Sequence, residues 1–227
     1  MKKIILLLIV TMSISAQSKD PQKILDKVVQ NFNSVQDYTV NAKINVDIEF
    51  LKVPEMNAKV YFKQPDKMKM DSKGFAMLPR QAFNFSPNSL LEKKHTSVYT
   101  GTEKLNGKNV DVIRVIPTSD SSEVILSTLW IEQDKYLIRK IESTSRQGGT
   151  FQINLSYDGK SAYPLPSSIK FEFDLPKLNL PKKLSGKMDN KEEKKSDHPG
   201  KGIVMIKYSD YKVNQGIPDA VFAEKKK

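Results

Sequence analysis

The segment YTVNAKINVDIEFLK, residues 38–52, alternates apolar and polar side chains without a break. Its apolar members are Tyr38, Val40, Ala42, Ile44, Val46, Ile48 and Phe50. Alternation with a period of two predicts a strand with one dry face and one wet face. Fifteen residues would span about 50 Å as a single strand. We therefore predict a large, curved antiparallel sheet, and the dry face of this strand needs an apolar cover.

A helix predicted directly upstream supplies part of that cover. Asp20 suits the N-cap and Pro21 the first helical position. Apolar residues then recur at helical spacing, at Ile24, Leu25, Val28, Val29, Phe32 and Val35. We expect the helix to end between Asn33 and Gln36 and to pack its apolar stripe on the dry face of the sheet.

The rest of the chain predicts further strands joined by short turns. Asn106–Gly107 is a strong hairpin signal between two of them. The segment 73–94 breaks the alternation, and we expect a loop with one or two short helical turns there. The predicted strands are 56–62, 68–70, 95–103, 108–116, 123–132, 136–145, 150–157, 168–174 and 203–213. About ten strands with little helix indicate a mainly β (α+β) fold built as an antiparallel meander.

The first sixteen residues have the order of a cleavable signal peptide. Lys2 and Lys3 precede an apolar core at 4–10, and small residues lead to Ala16. An uncleaved anchor is the alternative, although the apolar run is short for spanning a bilayer. We predict cleavage after Ala16, leaving one domain at 17–227. The chain has no cysteine, so the protein is not expected to be lipidated itself, and a bacterial periplasm fits best.

Positive charge dominates the chain, which carries a formal net charge of +11. Such an excess favours anionic partners such as acidic lipid head groups, although solubility alone also accounts for it. The export signal argues against nucleic acid. The segment 176–202 is rich in Lys, Glu, Pro and Gly. We predict a mobile polar insertion there, with a basic arm that faces lipid as the alternative.

The sequence offers little for catalysis. His95 and His198 are its only histidines, and no HExxH, GxSxG or phosphate-binding glycine loop occurs. We therefore predict no catalytic residues, no metal site and no cofactor, and a protein that is not an enzyme.

Apolar area is what the chain offers instead. Met56, Met68, Met70 and Met77 lie close together, and methionine suits surfaces that accept variable apolar shapes. Ordinary core filling is the alternative. Because the predicted helices are few for so large a sheet, we expect a cavity between sheet and helix.

Three motifs resemble the bacterial outer-membrane lipoprotein-sorting family, the LolA/LolB-like proteins. The first is VYFKQPDKMKM at 60–70, the second LWIE at 129–132 with YLIRK at 136–140, and the third YKVN at 211–214 with IPDAVF at 217–222. The resemblance implies an incomplete β-barrel closed by an N-terminal helix and a short helical segment. It also implies a hydrophobic cavity that shields lipoprotein acyl chains in the periplasm. Carriers of this family have an arginine before the proline that ends the second strand, whereas this chain has Gln64.

We therefore predict a periplasmic lipid- or lipoprotein-binding carrier that acts in outer-membrane lipoprotein sorting as a monomer. Its partners would be acyl chains, the membrane surface and a delivery partner in the inner or outer membrane. An envelope sensor or scaffold that binds a lipoprotein or a protein partner is the alternative. The predicted lipid-binding residues are Ile44, Val46, Ile48, Val60, Phe62, Met68 and Met70, with Leu129 and Ile131 opposite them.

Overall fold

A computed structural model describes residues 19–48, 51–72, 91, 94–119, 122–146, 149–159, 161–174 and 201–223. The predicted signal peptide, Phe50, Met77 and nearly all of the 73–94 segment lie outside the described residues. So does the 176–202 insertion, apart from its last two residues.

The N-terminal helix α1 spans Pro21–Phe32, so it begins where predicted and ends one residue before the predicted interval of Asn33 to Gln36. The Asp20 side chain accepts hydrogen bonds from the backbone N–H groups of Gln22 and Lys23, which satisfies donors that have no partner within the helix. The buried stripe consists of Ile24, Leu25, Val28 and Phe32. These side chains join the same core as the dry face of the sheet, which confirms the predicted packing.

One antiparallel sheet follows, with the order β4-β3-β1-β11-β10-β9-β8-β7-β6-β5 and with β2 paired to β1. Its strands are β1 Asp37–Ile48, β2 Leu51–Lys52, β3 Met56–Lys63, β4 Lys67–Ser72, β5 His95–Leu105, β6 Lys108–Pro117, β7 Val124–Glu132, β8 Leu137–Ser145, β9 Thr150–Ser156, β10 Ser168–Asp174 and β11 Lys201–Val213. A short 3-10 helix, η1, covers Asp219–Phe222. Because β4 and β5 do not pair with each other, the sheet is an incomplete barrel, in agreement with the predicted fold class.

The end of α1 shows how strongly the sheet curves. Asn31 donates a 2.9 Å hydrogen bond to the carbonyl of Lys135, in the turn between β7 and β8. The next residue, Phe32, meets Phe62 of β3 with ring centroids 5.6 Å apart. In a flat sheet β3 and β8 would be about 24 Å apart, since five strand spacings separate them. Neighbouring residues of one helix reach both, so the sheet curls around the helix.

The structure corrects three predicted details of the first and last strands. The first strand runs for 12 residues rather than fifteen, because the chain turns back after Ile48 and Leu51 pairs with it. The last strand begins at Lys201, two residues earlier than predicted, because its pairing with β10 extends to Asp174. That strand also lies in the middle of the sheet, between β1 and β10, rather than at the end of a simple meander.

Candidate functional site

The inner face of the sheet carries an apolar row that crosses eight strands. Each member lies directly opposite the next in the strand register. In order across the sheet, the row is Tyr99, Ile113, Leu129, Ile141, Ile153, Phe171, Val204 and Val46. All except Tyr99 are buried, so the dry face predicted from one strand is continuous over most of the sheet.

Helix α1 covers one end of this face. Phe32 packs against Phe62, and the Phe62 ring also stacks on Tyr38 with centroids 5.1 Å apart. At the start of the helix, Lys19 pairs with Asp111 of β6 at 2.8 Å. Tyr38 and Ile48 lie at opposite ends of β1, about 33 Å apart along the strand. These contacts of α1 and Lys19 therefore lie away from the Ile48 end of the face.

A second row forms the rim of the inner face at that far end. Its members in register are Val115, Ser127, Ser143, Phe151, Phe173 and Gly202, and Ile48 lies opposite Gly202. Phe151, Phe173 and Ile48 are only half-buried, although they pack against the core. Both phenylalanine rings lie against buried Phe171, at 5.6 and 5.2 Å. We call Ile48, Phe151 and Phe173 the apolar rim.

The structure places all nine predicted lipid-binding residues in or against one hydrophobic core. Those that are fully buried are Ile44, Val46, Val60, Phe62, Leu129 and Ile131. Ile48, Met68 and Met70 are half-buried. Phe62 is 1% exposed and held between Phe32 and Tyr38, so its position is that of a packing residue beneath the helix.

Two rim phenylalanines were missing from the predicted set. Phe151 and Phe173 lie on β9 and β10, whereas the predicted residues come from β1, β3, β4 and β7. A signal for Phe173 was present, since IKFEFD at 169–174 alternates apolar and polar residues with aromatic side chains at both 171 and 173. The register across the sheet is what places these rings beside Ile48.

Gln64, which stands where the resemblance implies an arginine, ties the end of β3 to the connection after α1. Its side-chain amide donates to the carbonyl of Val35 at 3.1 Å, and its backbone N–H donates to the carbonyl of Gln36 at 2.8 Å. Nearby, the buried Asp37 carboxylate accepts hydrogen bonds from the backbone N–H groups of Gln215 and Gly216. These contacts fix the helix end of the barrel.

Burial changes the pKa values of groups towards the helix end of the barrel. It raises the pKa values of Tyr38 and Tyr208 above the ordinary range, which keeps their hydroxyls neutral. Burial also opposes ionisation of Asp111. Hydrogen bonds from Lys19, Gln133 and Tyr99 outweigh that effect and hold the pKa of Asp111 below its usual value.

The described part of the chain does not assemble a metal-binding group. No three His, Asp or Glu side chains come together there in a way that would hold a metal ion. His95 begins β5, and His198 lies outside the described residues. Among the described helices, none has the length and apolar character to cross a membrane.

Solved structures share this fold, including the following three. A LolA superfamily protein from Nitrosomonas europaea has a TM-score of 0.58 and 14% identity, covering 90% of this chain and 97% of its own. A DUF1329 family protein from Desulfovibrio piger has a TM-score of 0.58 and 12% identity, with coverage of 90% and 98%. A domain described as an outer membrane lipoprotein-sorting protein, from Vibrio parahaemolyticus, has a TM-score of 0.53 and 12% identity, with coverage of 89% and 97%.

These likenesses extend over nearly the full length of each chain and establish that this protein has the LolA-like fold that its sequence motifs resemble. No protein-family model and no curated protein matches the chain.

Proposed function

From this LolA-like fold, we propose that the protein is a periplasmic carrier that holds the acyl chains of lipids or lipoproteins against the inner face of its sheet. The observation that carries the proposal is the apolar rim. Ile48, Phe151 and Phe173 are half-buried and continue the fully buried row that contains Val46, Ile153 and Phe171. An acyl chain bound at the rim would lie against these three half-buried side chains, with the buried row beneath them.

The physical need for such a carrier is large. Each methylene group exposed to water costs about 0.8 kcal/mol, so a long acyl chain does not cross an aqueous compartment unshielded. Shielding requires dry surface and no bond-making chemistry. The inner face offers such a surface, and the described residues assemble no metal-binding group beside it.

The predicted binding residues divide into two roles under this proposal. Ile48, Met68 and Met70 are half-buried and would contact the lipid directly. Met68 and Met70 pair with Phe62 and Val60 on the neighbouring strand, so their flexible side chains lie next to the packed core. The buried members, including Leu129 and Ile131, would form the dry floor that supports the lipid.

Location and partners belong to the same proposal. The expected signal peptide would export the chain, and its acyl-bearing cargo would pass to a delivery partner in the inner or outer membrane. The lipoprotein-sorting description of the Vibrio parahaemolyticus domain supports this direction. A role as a sensor or scaffold would instead depend on the capture of a lipoprotein or a protein partner.

Extraction of the purified protein tests the proposal. The mature chain, purified from its native host, is extracted with organic solvent and the extract is analysed by mass spectrometry. We expect a lipid or an acylated peptide in stoichiometric amount, together with saturable uptake of a fluorescent fatty acid. A protein that releases no lipid and takes up no fatty acid would contradict the carrier role and favour the sensor or scaffold.

A further inference from the structure

A polar cleft of about 500 Å³ opens beside the C-terminal end of α1, at the end of the barrel away from the apolar rim. The turn after β7, the start of β8 and the segment after β9 contribute its walls. Lys108, Lys135, Arg139, Tyr157, Asp158 and Ser161 line it. Its volume lies within the range of small-molecule binding sites, and several polar side chains converge on it.

Arg139 is held rigidly at one side of this cleft. Its Nε and Nη2 atoms both donate to Oε2 of Glu132, whose side chain is 2% exposed. Its guanidinium also lies over the Tyr157 ring, 4.7 Å from the centroid. The Tyr157 hydroxyl donates to the carbonyl of Ile138 at 3.0 Å, which fixes the ring in turn. A guanidinium has five N–H donors, so the pair with Glu132 leaves others for a ligand.

Two lysines add charge at the opening of the cleft. The Lys108 ammonium lies 3.8 Å from Glu132, and its side chain is 53% exposed. Lys135 is exposed, and the structure gives its ammonium no ion-pair partner among the described residues. Counted with Glu132 and Asp158, the three cations leave a net charge of +1. An arginine held in place, with two exposed lysines lining the same cleft, suits an anion with several oxygens.

We propose that this cleft binds a phosphoryl group, carried either by a lipid head group or by a small water-soluble phosphate. A tetrahedral phosphate would accept from the Arg139 donors that Glu132 leaves and from both lysines, whereas a carboxylate offers only two oxygens. The cleft is separate from the apolar rim, so the proposal stands whether or not the inner face binds acyl chains.

NMR titration of the full mature chain with inorganic phosphate at constant ionic strength tests the proposal. We expect saturable shifts at the amides of Gly159 and Ser161. Lys135→Gln and Lys108→Gln should each weaken the affinity about fivefold, as expected for the loss of one exposed charge contact. Lys207→Gln is the matched control, since Lys207 is an exposed lysine on β11 outside the cleft. Thermal unfolding of each variant verifies that the fold is retained.

A second titration identifies the source of the phosphate. Dihexanoyl phosphatidic acid below its micelle concentration should bind more tightly than inorganic phosphate if the natural ligand is a lipid head group. Equal or weaker binding would indicate a water-soluble phosphate. Absence of saturable shifts with both probes, or equal losses in Lys207→Gln and Lys135→Gln, would overturn the proposal. A fatty acid has no phosphate, so its uptake tests the apolar inner face and not this cleft. Neither outcome of the phosphate titrations changes the uptake that we expect.

Discussion

The Phe173 ring lies over Gly202 so closely that a methyl group added at Gly202 would come within 2.4 Å of the ring atom Cζ. The two residues are directly opposite each other on β10 and β11. Phe173 belongs to the apolar rim, and the missing side chain at 202 leaves space that the far end of its ring occupies. A glycine on one strand thus shapes the apolar surface presented by its neighbour.

Gly202→Ala should displace the Phe173 ring and destabilise the protein by about 1–3 kcal/mol, the usual cost of overpacking. Urea unfolding followed by circular dichroism measures this change. Phe173→Leu, which removes the ring, is the companion variant. We expect the double variant to lose less stability than the sum of the two single changes, because the clash is already gone. Strictly additive losses would show that Gly202 does not accommodate the ring.

The hydroxyls of Ser127 and Ser143 lie 2.7 Å apart on the same rim row, and both residues are buried. Either Ser127→Ala or Ser143→Ala should cost about 1–3 kcal/mol, because the remaining hydroxyl loses its partner in a dry environment. Removing both hydroxyls should cost less than either single change. Equilibrium unfolding of the two single variants and the double variant forms the required cycle. A double variant that is the least stable of the three would contradict this pairing.

Asp111 anchors the start of α1 through its contact with Lys19. Asp111→Asn should lower the free energy of unfolding at neutral pH by about 1–2 kcal/mol, since the charged hydrogen bonds are weakened. The folded-state pKa of Asp111 is depressed, so its stabilising effect is complete above the unfolded-state pKa of about 4 and is lost as the pH falls through the folded-state value.

Urea unfolding across a pH series checks this prediction. The stability difference between the wild-type protein and Asp111→Asn should shrink below about pH 4. Asp47→Asn, at an exposed position on the wet face of β1, is the control and should show no comparable loss at neutral pH. A difference that stays constant from neutral to acid pH would mean that the charge of Asp111 contributes nothing.

Local patterns predict the faces of the strands well. The alternation from Tyr38 to Ile48 assigns every inner position of β1 correctly, because a side-chain period of two is a property of the strand itself. Asn106 and Gly107 both adopt positive φ in the turn between β5 and β6, as their hairpin signal indicates. The cap at Asp20 likewise depends only on nearby backbone donors.

The order of the strands in the sheet does not follow from such local patterns. Alternation predicts which side of β11 is dry. Several strands have equally dry faces, however, so alternation does not predict that β11 lies between β1 and β10. The turn after Ile48 was missed because an alternating pattern can continue through a reversal of the chain. Glu132 and Arg139 meet where the register between β7 and β8 shifts, an irregularity that a regular pattern does not reveal.

The comparison that tests the carrier role most directly places the same substitution on the two faces of the sheet. Ile48 lies on the apolar rim, while Ile203 lies on the outer face, one residue beyond the partner of Ile48 on β11. Both side chains are half-buried, so Ile48→Glu and Ile203→Glu carry a similar risk to folding. Phe62→Glu is less informative, because that ring is packed under α1.

Fluorescent fatty acid uptake by the two variants is the decisive measurement, with thermal unfolding recorded alongside it. We predict that Ile48→Glu weakens uptake about tenfold or more, because the bound chain would lie against a charged group, and that Ile203→Glu binds like the wild-type protein. Equal uptake by both folded variants, or no uptake by the wild-type protein, would contradict the account.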